Sequence, residues 1–242
     1  MKTALITGAN RGIGFETAKQ LITLGYFVYL GSRDLNRGEQ AVQQLKALGL
    51  NTVEVLEIDI AKSESITNAK TQLSSKIKVL DVLINNAGIL GEMPQQVSAT
   101  SLENYHTVFQ TNVFGTIEIT QQFLSLLKKS EAPRIVNVSS EVGSITGNSD
   151  PTWEKYESVK AYPVYSASKT ALNAFTVALA YEFRNTNFKI NSVTPGYTAT
   201  EFNDYKGFKT VEEGAKPIVN FATLTQDGVT GKFYSLEGEV RW

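Results

Sequence analysis

Short apolar runs alternate with amphipathic stretches along the whole chain, and that rhythm allows few architectures. Lys2–Thr7, Tyr26–Leu30, Val53–Ile58, Val79–Ile84, Arg134–Val138 and Lys189–Val193 read as strands, with Gly231–Ser235 as a seventh. Between them Ile13–Leu24, Leu35–Leu48, Ser63–Ile77 and Val164–Phe183 carry helical spacing, and Leu102–Lys129 reads as one long or two abutting helices. Strands separated by helices close as a parallel sheet covered on both faces. Val79–Ile84 is almost continuously apolar, as a doubly buried parallel strand should be. No repeat or low-complexity tract interrupts the pattern, so the expectation for the 242 residues is one α/β domain, doubly wound, with about seven strands. Gly88–Thr100, Glu141–Pro163 and Pro195–Thr230 lack clear periodicity, and all three follow strands, where open α/β sheets hold ligands.

The turn after the first strand reads Gly8-Ala9-Asn10-Arg11-Gly12-Ile13-Gly14. Glycines at such a turn let the backbone approach a diphosphate and seat the following helix on the sheet. The helix end then offers free amides and a positive dipole to the anion. The spacing Gly-x3-Gly-x-Gly differs from the common Gly-x-Gly-x2-Gly fingerprint, and glycine clusters also make ordinary turns. A Rossmann-type nucleotide half over about residues 1–90 follows, with the catalytic and substrate half over about 91–242.

At the end of the second strand stand Gly31-Ser32-Arg33-Asp34. A ribose 2′-hydroxyl is met by an acid at this place, whereas a 2′-phosphate needs a cation. Ser32 and Arg33, with Arg11 as a second cation, point to NADP(H) over NAD(H). Asp34 reads as the N-cap of the next helix, turned away from the ribose. Asp59-Ile60 follow the third strand, where a short acid can accept from an adenine amino group or cap the next helix. Asn85-Asn86-Ala87-Gly88 follow the fourth, where the asparagines can bridge strand ends or simply form a turn.

Tyr165 and Lys169 are spaced i, i+4 at the start of a helix and so share a face. A free tyrosine ionises near pH 10, and a neighbouring ammonium is expected to lower that value toward general acid–base use. Tyr156 and Lys160 repeat the spacing, but they sit among charges with Pro163 downstream, while Ser166, Ala167 and Ser168 leave room for a ligand beside Tyr165. Ser139-Ser140 end the fifth strand, and a hydroxyl there can polarise a carbonyl or merely close a turn. Asn112, within a helical stretch, hints at a bend and a bound water.

Composition removes other chemistries. With no cysteine there are no disulfides, thiolate metal sites or cysteine nucleophiles, and no His/Asp/Glu grouping has metal-ligand spacing around the single histidine, His106. A net charge of −1 gives no electrostatic case for nucleic acid or an anionic membrane as partner. No apolar stretch reaches the length of a membrane span or a leader core, so a cytoplasmic enzyme is expected.

Taken in order, Gly8/Gly12/Gly14, Asp59, Asn85-Asn86-Ala87-Gly88, Asn112, Ser140, Tyr165/Lys169 and Pro195-Gly196 resemble the short-chain dehydrogenase/reductase family over essentially the full chain. Within it, Arg11, Gly31–Asp34 and the tail from Gly231 to Trp242 look most like the NADPH-dependent carbonyl reductases. The resemblance implies reduction of a ketone, aldehyde or quinone. Tyr165 would be the proton donor, and Lys169 would bind the nicotinamide ribose and depress the Tyr165 pKa. Ser140, rather than Ser139, would hold the substrate oxygen, and Asn112 a water leading from Lys169. Thr198, past Pro195-Gly196, would meet the carboxamide. A non-catalytic NADP-binding regulator on the same fold is the competing reading, against which the intact Asn112, Ser140, Tyr165 and Lys169 speak. Ser140 and Tyr165 lie about twice as far apart as is usual in the family. The extra segment, around Asn148–Ala161, implies a monomer or homodimer and a substrate entrance lined in part by Trp153.

Overall fold

The computed structural model describes residues 1–153 and 161–242. Seven strands form one sheet: β1 (Thr3–Ile6), β2 (Phe27–Ser32), β3 (Val53–Glu57), β4 (Val82–Asn85), β5 (Arg134–Val138), β6 (Lys189–Val193) and β7 (Phe233–Tyr234). Their order is β3-β2-β1-β4-β5-β6-β7, and every pairing is parallel. The chain reverses its direction of winding between β1 and β4, which opens a crevice at the carboxyl ends of those strands.

Period-two alternation sends neighbouring side chains to opposite faces. Ala4, Ile6, Val82, Ile84, Val136 and Val138 join one core with α1 (Gly12–Thr23), α2 (Leu35–Ala47) and a late helix; Leu5, Leu83 and Ile135 join a second core on the other face. The second core holds α3 (Ser63–Lys76), α5 (Thr116–Leu127) and α7 (Pro163–Glu182). One domain, helices on both faces, is what the alternation predicts.

Two departures matter for the site. The segment expected to be one or two helices is α4 (Leu102–Phe109), a π-helical turn over Gln110–Gly115 and then α5. Asn112 sits in that turn, so the local irregularity its position hints at is real. A helix also runs where no periodicity is legible: after the one-turn α6 (Ile145–Asn148) and α7, α8 spans Val211–Ala222. Gly214 and Pro217 blunt its pattern, yet a Thr210–Glu213 capping box starts it. Gly214 is required by contact, since a Cβ there would lie 2.5 Å from Thr198 Oγ1. Among the described residues no helix is long and apolar enough to cross a membrane. The Tyr156/Lys160 pair lies outside the described residues.

Candidate active site

The turn after β1 depends on glycine at two left-handed positions, Gly8 (φ 62°) and Gly12 (φ 57°). Gly14 is needed for a different reason. A Cβ there would fall 2.5 Å from Asn86 Nδ2, 2.6 Å from Gly8 O and 2.9 Å from Ala9 Cα. Two of those neighbours are backbone and cannot swing aside. Gly14→Ala is therefore expected to lower the unfolding free energy by about 2–3 kcal/mol, read by denaturant titration, and to weaken dinucleotide binding with it.

Asn86 is the strut of this turn. Its Nδ2 donates to Thr7 O (2.9 Å) and Gly8 O (3.1 Å), while Thr7 Oγ1 accepts from the amides of Asn86 and Ala87, both at 3.0 Å. Asn85 bridges the other way, donating to Asn137 Oδ1 at 2.8 Å and Thr120 Oγ1 at 3.0 Å. The bridging of strand ends expected of these asparagines is present. Arg11 is the N-cap of α1, and among the described residues no side chain caps the helix.

At the end of β2, Asp34 accepts from the Arg37 amide at 3.1 Å and caps α2 as expected. Ser32 is buried and its hydroxyl donates to Asp34 O at 2.7 Å. That hydroxyl is therefore used within the turn, where an anion-receiving role was expected of it. Arg33 is exposed and lines the cleft, as do Arg11 and Arg37. Arg37 is a residue the sequence reading missed, although its place one turn beyond Arg33 on the helix that opens at this strand end was a usable signal. Asp59 does not cap α3, whose N-cap is Lys62; its Oδ1 accepts from the Ala61 amide at 3.1 Å and its Oδ2 lies 3.4 Å from Lys62 Nζ.

On the other side of the switch point, Pro163 starts α7, placing Tyr165 and Lys169 one turn apart. Lys169 is 3% exposed; its Nζ donates to Val138 O at 2.8 Å and stands 5.5 Å from the Tyr165 ring centroid. The Tyr165 ring borders the cleft, with its hydroxyl enclosed and hydrogen-bonded to Ser140. The second serine thus makes the contact, while Ser139, 2% exposed, has an Oγ without a hydrogen-bond partner among the described residues. Gly143 allows the approach, since a Cβ on it would meet Lys169 Cβ at 2.8 Å.

The electrostatics correct one expectation. Burial pushes the Tyr165 phenol above its ordinary value, and the hydrogen bond from Ser140 works against that rise. Burial also lowers Lys169 to about 8. The expected lowering of the tyrosine by a neighbouring ammonium does not prevail, because a dry surrounding penalises phenolate and ammonium alike.

Asn112 does not line the cleft. It is 1% exposed and clamps Ile89, donating to its carbonyl and accepting from its amide, both at 2.9 Å, with a further donation to Ser168 Oγ at 3.0 Å. It stands behind Gly88, where an added Cβ would lie 3.3 Å from Asn112 Oδ1 and 3.5 Å from Lys169 Nζ. Thr198 is buried, and its hydroxyl donates to Pro195 O at 3.2 Å. Its neighbour Thr200 lines the cleft opposite Gly12.

All the remaining candidates (Gly8, Asn10, Arg11, Gly12, Ile13, Gly14, Ser32, Arg33, Asp59, Ile60, Asn86, Ala87, Gly88, Ser140, Tyr165, Lys169, Pro195, Gly196 and Thr198) line one continuous cleft of about 1940 Å³. Its mouth carries Tyr197, Phe202, Tyr205 and Phe208, with Phe202 edge-on to Tyr165 at 5.7 Å between centroids. Trp153 is not among the lining residues; it packs on Gly147.

The short chain dehydrogenase family profile matches residues 2–209. The chain is 40% identical over 222 residues to the short-chain dehydrogenase anuI of Penicillium roqueforti, spanning 90% of this chain and 87% of that protein. It is 33% identical to a (+)-neomenthol dehydrogenase of Capsicum annuum, over 96% of this chain and 94% of the relative. The structure of NADPH-bound carbonyl reductase from chicken fatty liver superposes with a TM-score of 0.84 at 26% identity, covering 100% of this chain and 99% of that one.

Proposed function

The chain belongs to the short-chain dehydrogenase family, and on that premise we propose that it is an NADP(H)-dependent reductase of a ketone, aldehyde or quinone, with Tyr165 as general acid. The observation that carries the reading is the hydrogen-bonded Ser140–Tyr165 pair beside buried Lys169, in the cleft that begins at the glycine turn. The residues present fit the dinucleotide. Glycines leave the backbone bare where a diphosphate would lie, the start of α1 is open, and guanidiniums line the cleft at the end of β2.

When bound, the nicotinamide supplies the hydride that adds to the carbonyl carbon. Ser140 holds the carbonyl oxygen, and the Tyr165 hydroxyl transfers its proton to that oxygen as the alcohol forms. Lys169, a cation below about pH 8, would bind the nicotinamide ribose and offset the charge of the phenolate left behind. Asn112 holds the Ile89 backbone and Ser168 in place behind Lys169; a water through which the proton is returned would have to use the second lone pair of its Oδ1. Pro195, Gly196 and Thr198 would flank the carboxamide, Thr198 through its backbone because its hydroxyl donates to Pro195 O. Phe202, Tyr205 and Phe208 give the substrate an apolar surround.

Fluorescence titration with NADPH and NADH, followed by absorbance decay with a carbonyl panel, tests the reading. Tight NADPH binding, weaker NADH binding and turnover are expected. Binding without turnover across the panel would move the weight to a non-catalytic regulator. Arg33→Ala is expected to weaken NADPH by about 10-fold, the worth of a charge-assisted contact, and to leave NADH unchanged. Equal losses for both cofactors would remove Arg33 from the 2′-phosphate site.

A further inference from the structure

We infer that Glu201 limits how strongly the chain prefers NADPH over NADH, by holding Arg11 against the pull of a 2′-phosphate; the inference rests on the cofactor reading above. Three guanidiniums, Arg11, Arg33 and Arg37, line the dinucleotide part of the cleft. Arg37 lies 3.6 Å from the Asp34 carboxylate one turn back. Arg11 is ion-paired with Glu201, which reaches it from the opposite lip of the cleft. Arg33 makes no ion pair among the described residues, so it is the one cation of the three with no carboxylate to compete for it.

The Glu201 carboxylate is presented by a braced turn. Thr200 and Asn203 form a capping box around the short helix Glu201–Asn203, and Asn203 Nδ2 donates to Thr198 O at 2.9 Å. Asp204 and Tyr205 then take left-handed backbone angles (φ 53° and 58°) that turn the chain sharply away. The two lips approach at this point, since a Cβ on Gly12 would lie 3.5 Å from Thr200 Cγ2. With its backbone already held, Glu201 gives up only side-chain freedom when it pairs with Arg11.

The consequence differs between the two cofactors. A 2′-phosphate is a near-dianion that must draw Arg11 from Glu201 and tolerate the carboxylate beside it. A ribose 2′-hydroxyl makes no such demand. The effect of Glu201 therefore falls on ligands that carry the extra phosphate. Arg11 and Glu201 are both about half exposed, with side-chain accessibilities of 51% and 60%, so solvent screening keeps the effect modest.

The test measures Kd for 2′,5′-ADP, 5′-AMP, NADPH and NADH in the wild-type chain, Glu201→Gln, Arg11→Ala and the double variant, by calorimetry or nicotinamide fluorescence. Glu201→Gln is expected to tighten 2′,5′-ADP and NADPH by about 2- to 5-fold and to leave 5′-AMP and NADH unchanged. The gain should shrink with added salt and shrink again when Arg11 is already alanine, leaving only the direct repulsion between carboxylate and phosphate. If all four ligands weaken together, Glu201 braces the lip and the inference fails. It fails equally if none of the four constants moves. A wild-type chain that binds 2′,5′-ADP no better than 5′-AMP would instead overturn the cofactor reading itself, a result distinct from either failure.

Discussion

Tyr165→Phe is expected to lower kcat/KM for carbonyl reduction by about 100- to 10,000-fold while leaving NADPH binding unchanged. The substitution removes one oxygen and keeps the ring, so the edge contact with Phe202 at 5.7 Å survives. What disappears is the phenol proton that α7 presents beside Ser140. Burial already holds the phenol in its protonated form, so the residue is a proton reservoir in the reductive direction. Ser140 is only partly buried, and its hydroxyl can turn to solvent when the partner is lost. The unfolding free energy should therefore change by less than about 1 kcal/mol. Steady-state rates with a responsive ketone, cofactor fluorescence and a melting curve separate these effects. Activity within tenfold of wild type would take the proton transfer away from Tyr165.

Lys169→Met should move activity and stability in opposite directions. Reduction is expected to fall by about 100-fold or more, since the cation that offsets the developing phenolate is gone. The cofactor-free protein should become more stable by about 2 kcal/mol at pH 7, after the loss of the hydrogen bond to Val138 is counted. Folding lowers Lys169 from 10.5 to about 8 because burial penalises the ammonium. The native state therefore resists protonation, and the cost is present in full below about pH 8. It is relieved as pH rises toward 10.5. The advantage of the methionine variant should accordingly be largest near pH 7 and fade by pH 10, which denaturant melts across that range would read. In the wild-type enzyme the same titration predicts that reduction declines as pH climbs through about 8. A variant less stable than wild type at pH 7 would show that the ammonium carries no burial penalty.

Much of the site was legible because its positions follow from local rules. Glycines at a strand–helix turn, residues at the carboxyl ends of strands and an i, i+4 pair on a helix are placed by short stretches of chain, and the fold only has to bring those ends together. The misses share a different cause. Glu201 meets Arg11 across the cleft, and nothing adjacent in sequence marks that pairing. The helix Val211–Ala222 was hidden because Gly214 and Pro217 are poor helix formers, yet Gly214 is there to clear Thr198 and a capping box starts the helix. Ser32 looked like an anion donor until its hydroxyl was found bonded to the Asp34 carbonyl, a choice between two acceptors that spacing does not decide.

The sequence by itself determined the doubly wound parallel sheet, the glycine turn and the Tyr165–Lys169 pair, because periodicity and backbone sterics act over a few residues. The family resemblance already chose Ser140, the serine that meets Tyr165, over Ser139; only the tertiary structure decided that Asn112 stands behind the cleft and clamps Ile89. It alone decided that Glu201 pairs with Arg11 and that burial raises the tyrosine it was expected to see lowered. These outcomes depend on which groups converge and how much water they exclude. Both are set by the packing of elements distant along the chain, where a hydrogen-bond partner or a low dielectric outweighs the preference of any single residue.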